Sequence, residues 1–207
     1  ISLPISIHVP GFLFLFYLTT SIPFRTIVVS GTQCGLQDTQ GRGVCMDRFE
    51  ESLVSSGRNE MIPEEDDWYA PLIGDWKFEY HEPGGRHLQG EWYFRRVLEG
   101  TAIEDIFICP SRATKETDPQ PDGEYGVAVR MYDKEERCYD MTYICTKGTT
   151  RLRIRKEQGK IACTVLDDPT NKWVFSEITD TAFHWQNVTV LDSGEWSINC
   201  EVFAERI

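Results

Sequence analysis

Basic residues are the first shortage. Lys and Arg number 21 against 33 Asp and Glu in 207 residues, a formal net charge of -12. Nucleic-acid affinity comes mainly from phosphates neutralised by basic side chains, so this balance argues against a nucleic-acid partner. The seven cysteines include no C-x-x-C pair, which argues against a zinc ribbon and a thioredoxin-like redox motif. No Walker loop, dinucleotide fingerprint or Ser-His-Asp order is present. The apolar run GFLFLFYL at 11–18 falls short of the roughly 20 residues that a membrane-spanning helix needs. Downstream of residue 67 no long apolar pattern of period 3.6 occurs, which excludes a helical core.

What the chain does have is aromatic surface: six Trp, eight Tyr and eleven Phe. Such residues suit strands that line a large interior. Most of the cysteines lie in strand-like runs, where reduced Cys acts as a small hydrophobe, so a reducing, cytoplasmic setting is expected.

Residues 1–45 differ in kind, with one acidic residue, Asp38, and two basic ones, Arg25 and Arg42. From Met46 onward 19 basic residues face 32 acidic ones, a net of -13. The apolar run has a secretory length, but no Lys or Arg precedes it and no clean A-x-A site follows. Met46 opens a stretch that reads as an ordinary start. The expectation is therefore translated upstream sequence or a disordered extension over 1–45, a short helix and acidic linker over 46–67, and one domain over 68–207. The sequon Asn187-Val188-Thr189 matters only if the first run is an export signal.

Within 68–207, segments alternate with period two and are separated by turn residues. Ten strands are predicted: 75–82, 88–98, 102–109, 125–133, 137–145, 150–156, 160–166, 172–178, 182–190 and 195–206. The breaks carry turn chemistry, as at Pro83-Gly84-Gly85, Lys147-Gly148 and Asp192-Ser193-Gly194. Short turns make sequence neighbours spatial neighbours. The fold class expected is thus all-β, an antiparallel up-and-down barrel of about ten strands, because closure removes exposed edges. The long break 110–124 is either a lid or an idle loop.

The residues LIGDW are similar to the Gly-x-Trp signature that opens lipocalin-like (calycin) barrels. GEWYFRRVLEGTAIEDIFI, YGVAVRMYD, WVFSEITDTAFHW and EWSINCEVFAER resemble, in order, blocks of a bacterial family of lipocalin-like domains of unknown function. The resemblance covers about residues 72–206 and implies a barrel with a central pocket; it brings no activity with it. That family often carries an aromatic residue where this chain has Arg96, which makes the site particular to this protein.

Period two assigns the interior. Trp76, Phe78 and Tyr80 share one face, as do Trp92, Phe94 and Arg96. Ile103, Asp105, Phe107 and Cys109 form a third set, with Ala102, Glu104, Ile106 and Ile108 a near-equal alternative. On the first assignment Arg96 and Asp105 are interior partners from adjacent strands. Arg130 lies opposite the apolar set Tyr125, Val127, Val129 and Met131, and Asp140 opposite Tyr139, Met141 and Tyr143, so the parity of both stays open. Trp185 sets the apolar face of its strand with Asn187, leaving His184 outward unless a bulge intervenes.

The ligand-binding set expected is Trp76, Trp92, Arg96, Asp105, Arg130, Asp140 and Trp185, with Tyr132, Tyr139 and Tyr143 as further candidates. A guanidinium can hold an oxyanion and a desolvated carboxylate can act as a base. The reading is a binder of a small hydrophobic or weakly acidic ligand. An isomerase or cyclase using the Arg/Asp groups is one alternative, and a structural or partner-binding barrel another. A haem barrel of the nitrobindin type, with His184 as axial ligand, is a remote third, since GDWKFEY lacks that group's Gly-rich continuation. His81 and His87, with Glu82 nearby, flank one turn, but two His make an incomplete metal site. No cofactor, metal, nucleic acid or membrane is expected, and the state is monomer or homodimer.

Overall fold

The computed structural model describes residues 6–9, 12–15 and 47–207. The chain divides into two compact units, Ile1–Cys45 and Met46–Ile207. In the first, strand β1 (Ser6–Val9) pairs antiparallel with β2 (Phe12–Leu15). Met46 and most of 1–45 lie outside the described residues, and with them the proposed start of the natural chain.

The second unit begins with a short helix, α1 (Arg48–Leu53), whose N-cap Asp47 accepts from the Phe49 amide at 3.4 Å. The two-residue strand β3 (Val54–Ser55) follows. Ten strands then run in order: β4 (Gly74–His81), β5 (His87–Val97), β6 (Ala102–Cys109), β7 (Glu124–Asp133) and β8 (Cys138–Cys145). The remainder are β9 (Gly148–Glu157), β10 (Lys160–Val165), β11 (Asn171–Ser176), β12 (Ala182–Val190) and β13 (Trp196–Arg206). Each pairs antiparallel with the next, and β13 returns to β4, with Arg206 opposite Trp76 and Glu201 opposite His81. The sheet is a closed meander barrel. β3 adds an eleventh strand, laid against Arg96 and Val97 of β5.

The end of the barrel holding the start of β4 and the finish of β13 is plugged. Residues 59–73 make two 3-10 turns, Glu64–Asp66 and Ala70–Leu72, and bury Ile62, Tyr69 and Leu72. Polar ties fasten this plug. Asp66 accepts from Arg137 Nε at 2.9 Å and from the Tyr132 hydroxyl at 2.5 Å, and its carbonyl accepts from the Tyr139 hydroxyl at 2.8 Å. Asp67 meets Arg96 at 2.7 Å, and Arg206 donates to the carbonyls of Pro71 and Ile73. Of the acidic stretch expected as a linker, Asp66 and Asp67 are drawn in against Arg137 and Arg96, arginines distant in sequence, while Glu64 and Glu65 stay exposed. Above the plug Trp76, Phe94, Phe175 and Phe183 pack edge to face or tilted, Trp76 to Phe183 at 4.8 Å.

Two inward glycines make room for rings rather than turns. A Cβ on Gly90 would occupy the Phe78 ring, and one on Gly126 the Tyr143 ring and hydroxyl. Phe78 uses its notch to stack on Phe107 at 4.9 Å.

Candidate functional site

Away from the plug the barrel is not filled. A cavity of ≈ 200 Å³ lies in the half whose mouth is ringed by the turns after β4, β6, β8, β10 and β12. Its walls are aromatic: Trp92, Phe107, Tyr143, Trp173, Phe175 and Trp185. The space exists in part because β7 turns only Ala128 inward at a position beside Tyr143 and Asp105, while the room left by Gly126 is taken by the Tyr143 ring. Trp92, Asp105 and Phe175 are buried at depth, whereas Tyr80, Glu124, Trp173 and Asn187 are partly exposed toward the mouth.

Asp105 and Arg130 form the floor. Arg130 Nη1 donates to Asp105 Oδ2, and the Trp92 indole N–H donates to Oδ1 at 2.6 Å. The guanidinium sits over the Tyr69 ring at 4.7 Å and the Phe94 ring at 5.7 Å. Among the described residues its Nε meets no acceptor. Burial works against the Arg130 charge, but the Asp105 carboxylate beside it helps hold the guanidinium pKa above the ordinary value. Beneath it, burial raises the Tyr69 phenol well above its usual range and pushes the Cys163 thiol up to about 11.

At the mouth the Tyr143 hydroxyl donates to Glu124, whose other oxygen lies 3.4 Å from Lys147 Nζ. Burial, with Glu124 adding to it, raises the Tyr143 phenol. The 110–123 loop is strapped down by Arg86, which meets Asp122 at 2.5 Å and Gln120 at 3.1 Å. That bond holds the Asp122 carboxyl down at about 2. Burial pushes the Cys109 thiol up to about 12, the opposite of an activated nucleophile.

Of the residues expected to bind a ligand, Trp92, Asp105, Arg130 and Trp185 line the cavity. Trp76 is buried below it, its indole N–H donating to the Leu72 carbonyl at 2.8 Å. Arg96 points inward but at the plugged end, so the expected Arg96–Asp105 pair does not form. Register explains why. Asp105 stands opposite Phe94, while Arg96 and Arg130 both stand opposite Ile103; Arg130 reaches up to Asp105 and Arg96 down to Asp67. Asp140 faces outward and binds Arg153 at 2.9 and 3.1 Å, because β8 gives its interior face to Tyr139, Met141 and Tyr143. Of the three candidate tyrosines Tyr143 reaches the cavity, whereas Tyr132 and Tyr139 serve the plug.

His184 stands on the outer face, bonded to Glu201 at 2.8 Å and stacked on Phe203 at 4.5 Å, which removes the candidate axial haem ligand from the interior. His81 and His87 are cross-strand partners with rings 4.3 Å apart, but Glu82 is taken by Tyr80 and Arg86. Among the described residues no cluster of three or more His, Cys, Asp or Glu could hold a metal. Trp173 and Phe175 were legible from their shared parity on β11. Glu124 gave no such signal, since it begins a strand beside a long loop.

No protein-family model matches the chain, and no curated protein matches it. Among solved structures, a redesigned beta barrel is similar over 67% of this chain and 93% of its own, at 12% identity and a TM-score of 0.28. A likeness that weak leaves the barrel assignment resting on the strand pairing itself.

Proposed function

We propose that this protein is a lipocalin-like barrel that binds a small aromatic or apolar molecule in the open half of its interior. The observation that carries the reading is the aromatic-walled cavity of ≈ 200 Å³ floored by a buried ion pair. Binding sites combine apolar walls with a few placed polar groups in this way. An apolar cavity of about 150 Å³ accepts benzene, so this one is scaled for one or two rings. Both Asp105 oxygens already accept hydrogen bonds, which favours binding over base catalysis by that carboxylate. The outer wall carries ion pairs such as Arg95–Asp75, Lys77–Glu205 and Lys172–Glu157, a surface suited to water. Buried free thiols at Cys109, Cys138, Cys163 and Cys200 fit a reducing compartment.

Native mass spectrometry of freshly purified protein, with tryptophan-emission titrations of small aromatic probes, tests the proposal. The expected result is a retained or titratable small molecule that Ala128→Leu excludes by filling the cavity, with the barrel's circular dichroism unchanged. A protein that retains nothing and answers to no probe would favour the structural alternative.

A further inference from the structure

The polar groups of the cavity do more than mark a floor; their charges restrict what can sit on it. Three charged side chains line the space, the carboxylates of Asp105 and Glu124 and the guanidinium of Arg130. Arg130 is already neutralised by Asp105, and each side chain is no more than 2% exposed. Glu124 stands nearer the mouth with Lys147 at 3.4 Å, and that lysine is half exposed to solvent. A second carboxylate carried inward would pass Glu124 and come to rest beside Asp105. It would lose its hydration in a medium of low dielectric and meet a cation whose charge is spoken for.

The unmet valence is a donor. Arg130 has five N–H groups in a fixed fork, it lines the cavity, and among the described residues its one side-chain hydrogen bond runs from Nη1 to Asp105, which leaves donors of the fork without an acceptor. A buried donor without a partner costs about 1 to 3 kcal/mol, so a neutral acceptor brought to that guanidinium recovers stabilisation without adding charge. Trp92, Trp173 and Trp185 meanwhile form connected edge-to-face pairs, at 5.8 and 6.0 Å, that offer ring faces and edges to a flat molecule. Resting on the ligand-binding reading above, we propose that the cavity selects an uncharged planar molecule bearing a carbonyl-type acceptor. The acceptor seats on Arg130, and the corresponding carboxylate is rejected.

Three probes with one ring system separate the possibilities: naphthalene, 2-naphthamide and 2-naphthoate, titrated against protein carrying ¹⁵N-labelled tryptophan. The indole N–H signals of Trp92, Trp173 and Trp185 report on the cavity itself. The expected order is amide first, naphthalene weaker, and naphthoate weaker than the amide by about tenfold or more. In the pair Asp105→Asn with Arg130→Met, which keeps an acceptor for the Trp92 indole and leaves no charge unpaired, the amide's advantage over naphthalene should vanish. Naphthoate binding as tightly as the amide, or naphthalene equalling it, overturns the charge selection while leaving ligand binding intact. Silence of all three indoles toward every probe overturns the binding reading itself. The wild-type comparison stands alone if the double variant does not fold.

Discussion

Replacing Asp105 with Ala removes the partner of a guanidinium that is only 2% exposed. Breaking a buried pair from one side costs about 3 to 5 kcal/mol, because the surviving charge stays desolvated. The Trp92 indole N–H, in a side chain 4% exposed, loses its acceptor as well, adding about 1 to 3 kcal/mol. These terms overlap, since one repacking relieves both, so a total of about 4 to 6 kcal/mol is expected. With a urea slope of about 2 kcal/mol/M, the unfolding midpoint should fall by about 2 to 3 M. Adding Arg130→Met should restore much of the loss, whereas adding Arg96→Leu should act independently to within about 0.5 kcal/mol, since Arg96 belongs to Asp67. A loss below about 1 kcal/mol would show that water reaches the guanidinium through the cavity, and the case for a dry, charge-selective floor would be refuted.

Acid should loosen the plug. The Arg137 hydrogen bond, aided by Tyr132, outweighs burial and holds Asp66 below the usual carboxylate range. A folded pKa below the unfolded one contributes stability that is whole above about pH 4 and lost as pH falls through the lowered value. Melting temperatures against pH should therefore show a shallower acid limb for Asp66→Asn, and identical limbs would contradict the assignment. Gly126→Ala should displace the Tyr143 ring, lower stability by about 1 to 3 kcal/mol and weaken probe binding. A wild-type melt with unaltered binding would mean the ring moves freely.

Strand positions were legible because turn residues and period two agree nearly everywhere. On β4 and β5 the inward face is also the more apolar one, as Trp76, Phe78, Trp92 and Phe94 show. β7 inverts that rule. Its outward Tyr125 and Met131 are more apolar than its inward Gly126, Ala128 and Arg130, since a strand bordering a cavity carries small and polar groups where a packed strand carries rings. Asp140 and Asp105 look alike in sequence, and the strand face each takes distinguishes them: Asp105 shares the buried face with Ile103 and Phe107, whereas Asp140 lies opposite Tyr139, Met141 and Tyr143. Asp66 and Asp67 read as solvated, with Arg137 and Arg96 too far along the chain for any local pattern to join them.

The pairing of Trp76 with Arg206 has a consequence during synthesis. The two partners are separated by on the order of 130 residues, so at typical translation rates the first strand waits roughly ten seconds for the last. Throughout that interval β4 keeps one edge unpaired, and the Trp76 and Phe78 face has no opposite wall. Such an edge is an aggregation template until the ring shuts. The nascent chain is therefore most vulnerable just before its final strand leaves the ribosome, and a nonsense codon at or before Glu201, where the pairing with β4 begins, would leave an open sheet rather than a shortened barrel.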